Sequence, residues 1–250
     1  MRLKVLVSSA VVALTLSLAG PAFAQEYVEF RSLQDGVGVT FPVQPTVTEM
    51  TITSQFGSML PARIYAAESL AGKFKLTVID YNNIEAIATE KAKTCPPGAE
   101  TCRGGGSSTG PGYWKADIQG AVIWATWAIM EREGVKVTYF AWNNIDLVEG
   151  HMLYATNPDK SRTSAGIYMH ENKLYILEGT VPAGRPDPGF FQQSVQWLDA
   201  NGNGIRYQTT YHNGFPKPAT GRGGAGGGQG QGQGQGGRGG NAGPGGQAPQ

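Results

Sequence analysis

The 250-residue chain is poor in the side chains that carry most enzyme chemistry, with three histidines and two cysteines, and only 16% of its residues are charged. His151, His170 and His212 are each more than four residues from another histidine, so no i, i+4 metal pair forms on one element, and no metal is expected. No serine occupies a G-x-S-x-G elbow, and "GGGSSTG" at 104–110 lacks the lysine of a phosphate-binding loop. No cofactor is expected. After the first 24 residues no apolar run approaches the roughly 20 residues that span a bilayer, so no integral membrane segment is expected there. Net positive charge is also missing: residues 25–216 hold 15 Lys and Arg against 19 Asp and Glu, a balance of −4, which gives no electrostatic reason for a nucleic-acid partner.

What is present begins with an address. MRLK, the apolar run VLVSSAVVALTLSLA and the small-residue ending GPAFA form a secretory signal peptide over residues 1–24, cut after Ala24, with an uncleaved anchor as the other reading. The protein is therefore expected to be exported, periplasmic or secreted. The other end, residues 217–250, is Gly/Gln-rich: from Gly221 to Gln250 there are 16 glycines in 30 residues and no aromatic or branched aliphatic side chain. Nothing there can be buried to offset chain entropy, so a disordered tail is expected, acting as a spacer or tether. Its two GRGG units resemble RNA-binding arms, but two arginines without aromatics on an exported chain argue against that.

Between these ends, residues 25–216 suffice for one globular domain holding all five tryptophans. "PARIYAAES" and "KFKLTVIDY", divided by Leu70-Ala71-Gly72, predict a hairpin in which Phe74, Leu76 and Val78 face the core and Lys73, Lys75 and Thr77 face water. "NNIEAIATEKAKT" predicts a helix, and Thr94–Gly112 a long loop. In "GAVIWATWAIMEREGVKVTYFAWNN", ten apolar or small residues in a row do not distinguish strand from helix over 121–130. The Trp, Ile, Val and Thr content favours a strand that leads into a meander through "LVEGHMLYAT", "RTSAGIYMH" and "KLYILEGTV". "PGFFQQSVQWLDA" predicts a second helix, ending at Asn201-Gly202. The expected class is α+β, a mostly antiparallel β-sheet flanked by two helices.

Candidate sites are few. Cys95 and Cys102 enclose PPGAET and, in an exported chain, are expected to form a disulfide that braces one loop. Tyr113 and Trp114 close that loop and, if exposed, could line a binding groove. Glu149 and His151 lie two apart on one strand face, and His170 sits beside a hairpin turn with Glu171 and Asn172. These three are the candidates for a hydrolase or metal enzyme, against the more common solvated or hydrogen-bonded histidine. "DANGNGIRYQTT" opens like a calcium loop at Asp199, Asn201, Asn203 and Gly204, but its twelfth position is Thr210 where a bidentate Glu is required, so a turn is expected instead.

The stretches "FPVQPTV", "LPARIY", "LTVIDY", "CPPGAETC", "GPGYW", "LVEGHMLY", "MHENKLYILEGTVPAG" and "FFQQSVQWLDANGNGIRY" together resemble a family of exported bacterial proteins of unknown function, over roughly Tyr27 to Tyr211. The opening FPVQP, the late strands and the terminal helix are more distantly similar to PsbP-like domains, which implies an α/β/α sandwich. Neither resemblance brings catalytic residues. The expectation is an exported, non-catalytic domain that binds an unknown protein or small ligand of the cell envelope. The alternatives are the enzyme above or a structural envelope component tethered by its tail.

Overall fold

The computed structural model describes residues 27–98 and 114–216. These lie in the first of two units of the chain, Met1–Lys217, and the second is Pro218–Gln250. Both the expected signal peptide and the Gly-rich tail fall outside the described residues, as do Cys102 and Tyr113.

Among the described residues, ten strands and three helices follow in the order β1 (Val28–Ser32), β2 (Val37–Phe41), β3 (Thr46–Thr53), β4 (Met59–Ser69), β5 (Gly72–Asp80), α1 (Ile84–Lys93), α2 (Trp114–Met130), β6 (Lys136–Ile145), β7 (Val148–Thr156), β8 (Arg162–His170), β9 (Lys173–Val181), α3 (Gly189–Gln193) and β10 (Gln196–Trp197). Seven strands form one antiparallel sheet in the order β3-β4-β5-β9-β8-β7-β6, and three form a small sheet, β1-β2-β10. The architecture is α+β, as the alternation patterns predict.

Side-chain alternation splits the large sheet into two faces. Leu153, Ala165, Ile167 and Leu174 point toward α1 and α2, where they meet Ile84, Ile118, Ala121, Ala125 and Ile129. Tyr65, Leu76, Val78, Tyr168, Tyr175 and Leu177 point the other way, toward Val37, Val39 and Phe41 of the small sheet, Phe191 of α3 and Trp197 of β10. β5 is an interior strand covered on its second face by the helices, so that face is not wet along its whole length. Thr77 and Ile79 are buried under the helix layer, and water reaches only the Lys73–Lys75 end.

The segment expected to be a strand over 121–130 is helical, and the helix begins at Trp114, next to what reads as loop. The physical reason is visible in its two sides. Ile118, Ala121, Ala125 and Ile129 recur at three- and four-residue spacing as the buried stripe, while Ile123 and Trp127 are apolar yet exposed. Apolar residues on both sides erase the 3.6-residue signal, and burial of the alanine stripe overrides the β-preference of Trp, Ile, Val and Thr. The last helix is also shorter than expected. It stops at Gln193, where Ser194 N–H bonds Phe191 O, and Gln196 and Trp197 pair with Gly38 and Val37 as a strand. Among the described residues no helix is long and apolar enough to cross a membrane.

Candidate functional site

The two candidate histidines lie on opposite faces of the sheet. His151 pairs with Ile167, which points toward α2, whereas His170, three residues beyond Ile167 on the same strand, points toward the small sheet. They cannot converge on one atom. His151 is buried, and its Nδ1 lies 2.8 Å from Thr126 Oγ1. Because Thr126 donates its own proton to Val122 O, Oγ1 accepts from His151, which assigns the neutral Nδ1–H tautomer. Desolvation holds its pKa below the usual imidazole value. Glu149 is exposed at the start of β7.

His170 is 1% exposed and stacks on Trp197, with ring centroids 4.6 Å apart, under Tyr211 at 4.8 Å. Its Nε2 lies 2.7 Å from the Tyr207 hydroxyl, and its buried Nδ1 has no hydrogen-bond partner among the described residues. Burial, aided by the charge of Lys173, lowers its pKa to about 4. Such a ring is neutral at pH 7 and has no path to a substrate. Among the described residues no group of three or more His, Cys, Asp or Glu could hold a metal ion.

Trp114 does not meet the condition set for it. It is 5% exposed at the first turn of α2, edge-on to Phe215 at 5.6 Å, with Lys115 Nζ over both rings. Its partner in that expectation, Tyr113, is outside the described residues. Cys95 is buried just beyond α1, and the disulfide expected with Cys102 likewise involves a residue outside them. Asp199 uses its carboxylate to close a turn: Oδ1 accepts the N–H groups of Asn201 and Asn203, and Oδ2 accepts from Asn203 Nδ2.

A polar centre that the sequence does not advertise is built around Asp35. In sequence this residue is half of an Asp-Gly turn; in the fold it is fully buried. Arg63 Nε donates to both of its carboxylate oxygens at 3.0 and 2.9 Å, Arg63 Nη2 and the Tyr65 hydroxyl also donate, and Tyr175 donates its hydroxyl to Asp35 O. Burial pushes the Asp35 carboxyl up, but the bonds and charge from Arg63 and the bond from Tyr65 outweigh it and hold it below the usual range. The Tyr65 phenol is pushed up to about 12 by burial and by the carboxylate. Apart from Arg63 Nη1, which faces the exposed Glu49 at 4.0 Å, these groups bond one another, and the arrangement stabilises the fold. Arg63 and Tyr65, two apart on β4, are the only signal for it in the sequence, and alternation alone does not find their partner.

The surface offers more. β6 is an edge strand. Phe140 and Trp142 stand on its helix-side face with their edges on the His151 ring, at 5.0 and 4.9 Å, and Trp142 is 74% exposed. His151 is bonded to Thr126 of α2, and Ile123 and Trp127 of that helix are exposed. On the other face of β6, Tyr139 is exposed and stacks on Tyr154. Edge strands are usually blunted by charge or a bulge. Here the one charge, Lys136, and the register shift between Val137 and Tyr139 both sit at the start, leaving Tyr139–Ile145 regular.

No protein-family model matches the chain, and no curated protein matches it. Among solved structures it is similar to the solution structure of cyanobacterial PsbP (CyanoP) from Synechocystis sp. PCC 6803, with 9% identity over 72% of this chain and 97% of that one and a TM-score of 0.39. This is the distant PsbP-like resemblance suggested by the sequence, and it concerns fold only.

Proposed function

We propose that this chain is an exported, non-catalytic binding domain that takes a protein partner along β6. One observation carries the reading: the large apolar side chains Phe140 and Trp142 stand exposed on an edge strand of the seven-stranded sheet whose regular stretch, Tyr139–Ile145, carries no charge. In a two-residue hairpin the closing pair, here Ile145 and Val148, is doubly bonded, and every second pair after it likewise. Phe140, Trp142 and Asn144 therefore turn their N–H and C=O groups outward. An extended segment added there gains main-chain bonds from the edge and side-chain contacts from the aromatics. The buried, separated histidines support a role without turnover.

Export is read from the first 24 residues, and a disulfide between Cys95 and Cys102 belongs to the same reading. N-terminal sequencing of the protein recovered outside the cytoplasm should begin at Gln25, and both thiols should resist alkylation without reductant. A photo-crosslinker placed at Trp142 should join one envelope protein, whereas the same group at Leu70, 91% exposed on the β4–β5 turn, should not. Equal labelling from both positions, or substrate turnover abolished by one side-chain change, would end the proposal.

A further inference from the structure

We propose that a second surface, the cleft between α3, β10 and the β6–β7 hairpin, is a binding site for an uncharged saccharide. The cleft has a volume of about 630 Å³, within the range of small-molecule sites. Ile145 and Met152 supply apolar lining, and four residues with carboxamides border it: Asn143 from β6, Gln192 and Gln193 from α3, and Gln196 from β10. A carboxamide presents two donor hydrogens and two acceptor lone pairs on one planar group. Such groups match adjacent hydroxyls, each of which both donates and accepts. The charged side chains in the lining, Asp146 and Arg206, are bonded to each other, so the cleft offers no unbalanced charge to an anion or a cation. Phe190, exposed at the rim, adds a flat apolar face of the kind on which the C–H side of a sugar ring rests.

Gln192 is the side chain that marks this cleft as built for an occupant. It is 3% exposed and borders the cleft, yet its Nε2 has no hydrogen-bond partner among the described residues. A buried amide donor left unmade is costly, and a leucine of similar size would avoid the cost. Its terminal torsion is broad, so the amide can turn toward an acceptor in the cleft. Around it the wall is held still. Ser194 Oγ accepts from Thr40 N–H at 2.9 Å and donates to Phe191 O at 2.8 Å, which fixes α3 to β2, and Trp197 Nε1 donates to Ile145 O at 2.9 Å, which fixes β10 to the end of β6. Asn143 is oriented from below: Tyr168 lies across Gly150 and accepts from Asn143 Nδ2 at 2.7 Å, leaving Asn143 Oδ1 as an acceptor. Gly150 is required for this, because a Cβ there would lie 2.1 Å from Ile167 O and 2.4 Å from Tyr168 Cδ1.

A peptide fits the cleft less well. Extended peptides pair with a free backbone edge, but β10 is bonded to β2 on one side and Trp197 O already accepts from Ile205 N–H on the other. Recognition in the cleft falls to side-chain amides.

The test follows the side-chain amide NMR signals of the purified, isotope-labelled protein. The panel is maltotriose, cellotriose and triacetylchitotriose, with a trigalacturonate and blocked trialanine as the charged and peptide arms. One neutral trisaccharide should shift the amide signals of Gln192 and Gln193 and saturate with a Kd of about 1 mM or below. Gln192→Leu should weaken that binding about tenfold while leaving the melting temperature equal or higher, and exposed Gln193→Ala should weaken it with no change in melting. The proposal is overturned if none of the neutral sugars moves these signals, if the charged or peptide probe binds as tightly, or if both variants bind like the parent.

Discussion

On one face of the seven-stranded sheet, alanines and isoleucines of α2 lie on Leu153, Ala165 and Ile167. On the other, the rings of Tyr168, Tyr175 and Trp197 carry polar handles that reach Asn143, Asp35 and Ile145, with His170 and Arg63 enclosed among them. Acidic side chains meet the helix face at Asp117, near the start of α2, and at Glu178, which pairs with Lys75 and Arg132. The first face is stabilised by area removed from water, which tolerates exchange of one aliphatic group for another. The second depends on each buried donor and charge finding its own partner, which does not.

The sharpest way to break that contrast is Asp35→Ala. It leaves the mostly buried Arg63 guanidinium without its carboxylate and should cost about 3–5 kcal/mol in denaturant unfolding. A loss under about 1 kcal/mol would show that solvent reaches the pair. Ile167→Ala, fully buried on the helix face, should cost about 2–4 kcal/mol and leave the pH dependence of stability unaltered.

Acid should separate the faces further. His170 has a pKa of about 4 folded against an ordinary 6.5, so between those values the unfolded chain binds the extra proton and stability must fall as pH falls. That amounts to roughly 3 kcal/mol from pH 6.5 down to 4. His151 adds a loss of the same sign, so the share of His170 is read as the part of the pH slope that His170→Phe removes. Asp35 contributes at the acid limit: its lowered carboxyl stabilises the fold above the usual carboxylate pKa and ceases to as pH drops through its folded value. The smallest effect is Tyr168→Phe, which removes one hydroxyl from Asn143 and should cost about 1 kcal/mol.

The same contrast explains what the sequence discloses. Alternation finds the β4–β5 hairpin and the β6–β9 meander, and the helical spacing of Ile84, Ile87 and Ala88 finds α1. It fails at α2, where Ile123 and Trp127 on the outside blur the stripe of Ile118, Ala121, Ala125 and Ile129 on the inside. It fails again on the polar face, because nothing local links Asp35 to Arg63, 28 positions later, or Gln192 to Asn143. His151 and His170 look equivalent in the sequence, and only strand parity separates them by the thickness of a sheet. The exposed edge of β6 is partly legible, since its aromatics are evident, but its position at the rim follows from strand order alone.

That strand order also dictates how the chain must assemble. Within β3–β5 and within β6–β9 every strand is zipped to its neighbour in sequence, so each half can wind from local hairpins. In the large sheet only the seam between β5 and β9, where Lys73 meets Thr180, joins residues about 100 apart, across α1, α2 and three strands, and the small sheet adds a longer one where Val37 meets Trp197. Closing these long-range pairings costs more loop entropy than any hairpin, and while β5 and β9 are unpaired their facing edges lie open to mispairing.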